Sequence, residues 1–85
     1  MLDLAIEDYL TWLSVERGRS ANTLAAYRRD LAAYQAFLRA RGVAVERATE
    51  ADLVDFMTAL RGRGLAPASV KRTMVAVRNL HGYLA

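Results

Sequence analysis

The sequence predicts an all-α fold, a single bundle of four helices within one 85-residue domain. Apolar residues recur at helical spacing in four segments, and no segment alternates as a strand would. Glycines and helix-capping residues separate the segments, and the loops between them are short. Because the chain has no cysteine, packed apolar side chains have to stabilise it without disulfides. The predicted helices cover about residues 2–17, 21–41, 49–61 and 67–84.

The first two helices have clear boundary signals. Gly18 is placed to end the first helix, and Gly42 is placed to end the second. Either Ser20 or Asn22 is suited to cap the start of the second helix, because a short oxygen-bearing side chain can accept a hydrogen bond from a first-turn amide. The apolar stripe of the first helix is Ile6, Tyr9, Leu10 and Leu13, and that of the longer second helix is Leu24, Tyr27, Leu31, Tyr34 and Leu38.

The last two helices begin with different signals. Thr49 followed three residues later by Asp52 resembles a capping box, and it predicts the start of the third helix, which Gly62 and Gly64 end. Pro67 suits the first turn of the fourth helix, where its missing amide donor is not needed. The stripe of the third helix is Leu53, Phe56, Met57 and Leu60, and that of the fourth is Val70, Met74, Val77, Leu80 or His81, and Leu84.

Charge is divided unevenly among these helices, although the net charge is only +3. Residues 1–16 carry −4 and residues 46–60 carry −3, whereas residues 17–45 and 61–85 carry +5 each. The first and third helices are therefore acidic, and the second and fourth are basic. If the two basic helices lie side by side, one face of the bundle presents the positive field that a polyanion partner requires.

Basic side chains on the second and fourth helices are the candidates for binding DNA. Arg28 and Arg29 stand in the second turn of the second helix, and Lys71 and Arg78 are seven residues apart on one face of the fourth. Arg28 shares its predicted face with small or polar residues that leave the helix surface flat enough to approach a phosphate backbone or a major groove. These neighbours are Ala25, Ala32, Gln35 and Arg39.

Short polar side chains near helix starts complete the predicted interface, because they lie beside exposed backbone N–H donors that can hold a phosphate oxygen. Arginine supplies eleven of the twelve basic residues, and its planar guanidinium can bind phosphate or guanine through two hydrogen bonds. The predicted DNA-binding residues are Asn22, Thr23, Arg28, Arg29, Ser69, Lys71, Arg72 and Arg78.

Each of these features also has a purely structural interpretation. The arginines could form a solvated face, and acidic and basic helices could pack together simply by mutual attraction. His81 is interpreted as a residue at the edge of the bundle, because no second histidine or cysteine could share a metal with it. Trp12 and Tyr34 are interpreted as full or partial core residues. No catalytic or metal-binding constellation appears, so an independent enzyme, a bound metal and a cofactor are not predicted.

The chain resembles the N-terminal, core-binding domain of tyrosine recombinases, the phage-integrase and Xer-like group, in two blocks, SANTLAAYRRDLAAYQAFL and APASVKRTMVAVRNLHGYL. The first is similar to the family pattern S-x-x-T-x-x-x-Y-x-x-D-L, and the second to S-(V/I)-x-R-x-x-x-A-(L/V)-R-x-(L/F). The matching residues are Ser20, Thr23, Tyr27, Asp30 and Leu31, then Ser69, Val70, Arg72, Ala76, Val77, Arg78 and Leu80. One departure is Ala66, which stands where a capping serine is common.

The resemblance implies a SAM-like bundle whose second and fourth helices lie against a recombination site and form half of a clamp around double-stranded DNA. In that family a C-terminal catalytic domain supplies the tyrosine nucleophile and its arginine, lysine and histidine partners. We therefore expect this chain to be non-catalytic by itself, and its partners to be DNA, the catalytic domain and other protomers of a synaptic tetramer. No run of apolar residues is long enough for a membrane span, and we expect a cytoplasmic protein.

A hypothesis from a different class stays open. The chain could be a helical protein-interaction domain whose acidic helices bind a basic partner while its arginines keep it soluble. Residues that would then lie on partner-binding surfaces are Leu2, Leu4, Tyr83 and Leu84.

Overall fold

The computed structural model describes residues 2–85, and this part of the chain contains four α-helices, one short 3-10 turn and no strand. The elements are α1 (Leu4–Glu16), α2 (Ala21–Ala40), the 3-10 turn (Val45–Arg47), α3 (Glu50–Gly62) and α4 (Pro67–Leu84). This confirms the predicted all-α fold. The bounds of α4 agree with the prediction at both ends, α2 ends one residue earlier than predicted, and α1 and α3 differ by one or two residues at each end.

Helix α1 begins later than predicted because the backbone of Asp3 is not helical, although its carbonyl accepts hydrogen bonds from the amides of Ile6 and Glu7. Its backbone is extended, with φ −58° and ψ 144°, and its amide donates a hydrogen bond to the side-chain oxygen of Gln35 on α2. Asp3 therefore stands at the N-cap position, and Leu4 becomes the first helical residue. A bond between distant parts of the chain decides this boundary, so apolar periodicity could not predict it.

Two helix starts follow the predicted capping chemistry. The hydroxyl of Ser20, not the side chain of Asn22, accepts a hydrogen bond from the amide of Thr23 at 3.2 Å. At the start of α3 the hydroxyl of Thr49 accepts from the amide of Asp52 at 3.3 Å, and the Asp52 carboxylate accepts from the amide of Thr49 at 2.9 Å. These bonds satisfy amides that have no partner within their own helix, so each helix has a fixed first residue.

The core lies around α2 and α4, each of which contacts the other three helices. Tyr34 on α2 is fully buried, and its ring packs against Phe56 of α3 with the ring centroids 5.1 Å apart. Trp12 is half-buried and packs against Tyr83 at 5.2 Å, so both predicted core aromatics lie in or beside the core. The other fully buried apolar side chains include Ile6, Leu31, Leu38, Val77 and Leu80.

The 3-10 turn was not predicted, because a single turn has no periodicity to read. Val45, which is almost completely buried, anchors it to the core. Before it, Gly42 has φ 70°, a left-handed conformation that other residues rarely adopt, and this ends α2 where the sequence predicts a stop.

Candidate nucleic-acid interface

The two basic helices pack against each other, which is the arrangement that the charge pattern requires for a shared positive surface. Two side-chain pairs join α2 to α4: Asp30 with Arg72, and Tyr34 with His81. The acidic helices α1 and α3 also contact both basic helices. Each basic helix therefore has an acidic neighbour as well as a basic one. An arginine that faces an acidic neighbour can form an ion pair with one of its carboxylates.

Asp30, which pairs with Arg72, is the most buried acid among the ion pairs. Nε of Arg72 donates to one carboxylate oxygen of Asp30 at 3.0 Å, and Nη2 donates to the other at 2.9 Å. Asp30 is only 7% exposed, whereas the side chain of Arg72 is 46% exposed. Hydrogen bonds and charge attraction from Asp30 raise the pKa of Arg72 above its usual value. Arg72 thus reaches the surface from an anchor inside the bundle.

Arg28 lies on the side of α2 that faces α1, and there it pairs with an acid. Its Nη1 is 2.7 Å from a carboxylate oxygen of Glu7, and both side chains are about half-exposed. The two residues line a shallow recess together with other members of the predicted Arg28 face. The recess is lined by Leu2, Glu7, Arg28, Ala32, Gln35, Ala36 and Arg39.

Arg78 lies on the opposite flank of the basic helices, where α4 packs on α3. It donates to the two carboxylate oxygens of Glu50 at 3.2 and 2.8 Å, and Glu50 is 65% exposed. Hydrogen bonding with Arg78 lowers the pKa of Glu50, and the same bonds raise the pKa of Arg78. Arg61, Lys71 and Arg78 border a groove of about 480 Å³ whose apolar lining includes Met57 and Met74.

Two predicted cations are exposed and make no ion pair within residues 2–85: Arg29 on α2 and Lys71 on α4. Arg29 follows Ala26 by three residues and precedes Ala33 by four, so its nearest neighbours along the helix surface are small. A long cationic side chain between two alanines projects from the helix without obstruction. Arg29 therefore fits the predicted contact to a phosphate better than Arg28, whose charge is already paired.

The short polar residues at the helix starts differ in how they are engaged. Thr23 is half-buried, and its amide and hydroxyl are both bonded to Ser20. Asn22 is exposed in the first turn of α2, and Ser69 is half-buried in the first turn of α4. Ala66 provides no side-chain cap for α4, so the first amides of this helix receive no side-chain acceptor from it.

The five cations among the eight predicted residues therefore do not form one uninterrupted patch. Arg28 lies toward α1, Arg72 at the junction of α2 and α4, and Arg78 toward α3. Three predicted arginines are paired with acids from other helices, which no spacing along the sequence could reveal. Two residues that were not predicted contact or neighbour these cations: Asp30, which bonds Arg72, and Arg61, which borders the groove with Lys71 and Arg78. The only sequence signal for Asp30 is its match to the aspartate of the tyrosine-recombinase pattern in the first block.

His81 is half-buried, and it forms a hydrogen bond with Tyr34, which was predicted as a core residue. Its Nε2 lies 2.7 Å from the hydroxyl of Tyr34. Burial lowers the pKa of His81, and burial together with the charge of Asp52 raises the pKa of Tyr34 to about 12. Neutral His81 can accept the bond that Tyr34 donates, so this pair links α2 to α4. Within the described chain, no group of three or more histidine or acidic residues could hold a metal ion.

Comparison with known proteins identifies similar domains. Residues 6–85 match the family described as phage integrase, N-terminal SAM-like domain. The chain is 41% identical over 93 residues to tyrosine recombinase XerD of Mycobacterium tuberculosis (strain CDC 1551 / Oshkosh), covering 99% of this chain and 30% of that protein. It is 38% identical over 79 residues to tyrosine recombinase XerD of Rhizobium meliloti (strain 1021), covering 93% and 25%.

A third relative is a tyrosine recombinase named XerC, whereas the first two are named XerD. The chain is 43% identical over 81 residues to tyrosine recombinase XerC of Xanthomonas campestris pv. campestris (strain B100), covering 94% of this chain and 25% of that protein. The chain thus spans less than a third of the length of these relatives. No solved structure gives a significant match to it. None of the helices in residues 2–85 has both the length and the apolar character of a membrane span.

Proposed function

We propose that this chain, which belongs to the family of phage integrase N-terminal SAM-like domains, binds double-stranded DNA at a recombination site for a tyrosine recombinase. Its role is to hold the duplex while a separate catalytic domain cuts and rejoins the strands. The matched relatives carry the name tyrosine recombinase and are more than three times as long as this chain. The remaining partners in this proposal are the other protomers of a synaptic tetramer, and the location is the cytoplasm.

The observation that carries the proposal is the direct packing of the two basic helices. Arg72 reaches the surface at their junction, and Arg29 and Lys71 are exposed on α2 and α4 without an ion pair among the described residues. Phosphate contacts supply most of the affinity of proteins for duplex DNA, and guanidinium groups are well suited to them. A duplex that lies along α2 and α4 would meet cations from both helices.

The exposed ion pairs do not remove Arg28 and Arg78 from this interface. Glu7 and Glu50 are both well exposed, and ion pairs between exposed side chains contribute little to stability. A DNA phosphate can therefore take the place of either carboxylate without a large loss. In this account Arg28 and Arg78 exchange partners when DNA binds, whereas Arg72 does not.

Short polar groups have the second role in the proposal, which is to fix the position of the domain on the duplex. Asn22 and Ser69 lie in the first turns of α2 and α4, where backbone amides face outward, and Thr23 lies next to the cap. Contacts of this kind orient a protein on the phosphate backbone without reading bases.

Tyr9, Tyr34 and Tyr83 are poor nucleophiles for strand cleavage. Burial raises the pKa of Tyr9 and Tyr34, which keeps both phenols protonated. Tyr83 packs against Trp12 and Tyr9. None of these hydroxyls has the set of arginine and histidine donors that a phosphoryl transition state needs. Strand cleavage is therefore assigned to the separate catalytic domain.

Fluorescence anisotropy with a labelled random-sequence duplex tests the proposal. We expect binding at low salt that weakens as salt rises, with a log–log slope of about −0.9 per neutralised phosphate. Arg29→Ala should reduce the magnitude of that slope by about one. Arg47→Ala is the matched control, because Arg47 is exposed on the 3-10 turn outside α2 and α4. Affinity that does not depend on salt would contradict the proposal.

A second candidate is the protein-interaction domain, and one observation favours it. Leu4 and Val15 on the acidic helix α1 are 73% and 72% exposed. They lie eleven residues apart and so share a helix face. A basic, apolar partner could cover them. If this were the only function, the duplex would stay unbound at low salt, and replacing both residues by serine would abolish partner binding.

A further inference from the structure

Asp30 is an acid, so the charge argument alone gives it no part in binding DNA, but its carboxylate holds the guanidinium of Arg72. We propose that Asp30 is a positioning residue, which fixes the guanidinium of Arg72 so that its outer edge faces a backbone phosphate. This inference rests on the DNA-binding function proposed above. The negative charge of Asp30 alone would weaken DNA binding, whereas in this proposal Asp30 strengthens it.

The geometry of the pair leaves one edge of the guanidinium available. Arg72 donates to Asp30 through its Nε–Nη2 edge, with bonds of 3.0 and 2.9 Å. A planar guanidinium bound in this way keeps its Nη1–Nη2 edge for a second acceptor with two oxygens. Nη1 donates to no residue in the described part of the chain, and nearly half of the side chain is exposed. A phosphate has the shape that this edge binds.

The burial of Asp30 makes the arrangement rigid. The carboxylate lies between α2 and α4 with only 7% exposure, so water and solutes have little access to it. Without its partner it would be a buried charge, which is strongly unfavourable. Arg72 is therefore held in one orientation before DNA arrives, and the entropy of ordering this long side chain is lost on folding, not on binding.

Electrostatic attraction cannot explain a contribution from this pair. Asp30 neutralises most of the charge of Arg72, so the pair adds little to the field around the domain. If only charge mattered, removing the negative charge of Asp30 would tighten DNA binding. If orientation matters, the same change would weaken binding, because the guanidinium would no longer be held. The two accounts predict changes of opposite sign.

The test is the substitution Asp30→Asn, measured by anisotropy with the random-sequence duplex at one fixed low salt concentration. Asparagine keeps the shape of aspartate, but its NH2 group opposes an N–H of Arg72, so only one of the two hydrogen bonds can form. We expect affinity to fall about tenfold, the equivalent of one charge-assisted hydrogen bond.

The matched control is Glu7→Gln, which removes the same charge from an exposed pair with Arg28. Because this pair is exposed and Arg28 can exchange the carboxylate for a phosphate, we expect affinity to stay the same or to rise by about twofold. Both variants are compared by circular dichroism and thermal unfolding, so that affinities are measured only on folded protein.

A second variant tests the same ion pair by changing the arginine. Arg72→Lys keeps the positive charge and leaves Asp30 a cationic partner, but lysine has no planar fork. We expect the same loss of affinity as for Asp30→Asn. The double variant Asp30→Asn/Arg72→Lys should lose no more than either single variant, because both changes break one interaction.

The outcomes separate this inference from the proposed function. If the unsubstituted chain does not bind the duplex, the proposed function is wrong. If it binds and Asp30→Asn binds equally well or more tightly, DNA binding stands and the positioning role is overturned. Should Asp30→Asn be unfolded under the assay conditions, Arg72→Lys decides, because affinity equal to that of the unsubstituted chain would overturn the role of Asp30.

Discussion

The predicted DNA-binding arginines form two kinds of arginine–carboxylate pair, which differ in how deeply the acid is buried. The pair at the junction of α2 and α4 has its carboxylate, Asp30, almost completely buried. On the flanks, Arg28 pairs with Glu7 and Arg78 pairs with Glu50, and both acids are well exposed. All three pairs join a guanidinium to a carboxylate. The burial of the acid decides whether its arginine is fixed in place or can exchange its carboxylate for a phosphate.

Breaking the junction pair should have the largest effect on stability. Arg72→Ala leaves the buried carboxylate of Asp30 without a partner, and we expect the free energy of unfolding to fall by about 2 kcal/mol. This figure is lower than for a fully buried pair because the guanidinium is partly solvated. Urea denaturation monitored by circular dichroism measures it.

The control for Arg72→Ala removes both charges at once. The double variant Asp30→Leu/Arg72→Leu replaces the pair with apolar side chains and leaves no unpaired charge, so it should lose less stability than Arg72→Ala alone. A larger loss in the double variant would mean that the pair itself, and not the unpaired acid, accounts for the effect.

Lowering the pH should also reduce the free energy of unfolding through His81 at the same junction, by less than Arg72→Ala does. Its folded-state pKa is depressed by burial, so the neutral form is favoured in the fold and the unfolded chain takes up the proton first. Stability contributed by His81 is therefore present above the unfolded pKa of 6.5 and is lost as the pH falls through the lower, folded value. His81→Gln should flatten this part of the pH profile of urea denaturation. An unchanged profile would exclude His81 as its source.

Breaking a flank pair should change stability less than either alteration at the junction. In Glu50→Gln the guanidinium of Arg78 remains solvated, so we expect the urea midpoint to stay close to that of the unsubstituted chain. The two partners should differ in their effect on DNA binding. Arg78→Ala should reduce the slope of affinity against salt by about one, whereas Glu50→Gln should not reduce it. A loss of stability as large as that of Arg72→Ala would remove the distinction between junction and flank.

The smallest effect is expected on the acidic side of the molecule. Leu4 and Val15 are highly exposed on α1, which is not one of the two helices of the proposed interface. The double substitution Leu4→Ser/Val15→Ser should leave the anisotropy titration with duplex unchanged. A clear loss of DNA affinity would place α1 in the interface and contradict the proposed orientation.

Most of the fold follows from local features of the sequence. Apolar periodicity predicts all four helices, and the caps at Ser20 and Thr49 form as their side-chain chemistry predicts. Both features depend on residues within a few positions of each other. The late start of α1 and the 3-10 turn depend on tertiary contacts of Asp3 and Val45, which local spacing does not encode.

The candidate site is less predictable for the same physical reason. Charge blocks predict which helices are basic, and the structure places those helices together. The partners of Arg28, Arg72 and Arg78 come from other helices, at separations of 21, 42 and 28 residues. Pairs along one helix can be predicted from spacings of three or four residues, but pairs between helices require the packing. The sequence therefore indicates where cations are abundant, and not which of them are free.

An amide-resolved NMR titration of the isotope-labelled chain with a short duplex tests most directly whether DNA lies along α2 and α4. We expect the largest chemical-shift changes at Asn22, Arg29, Ser69 and Arg72, with the exposed face of α1 that holds Leu4 and Val15 unaffected. Changes concentrated on α1 and α3, with α2 and α4 silent, would contradict the account.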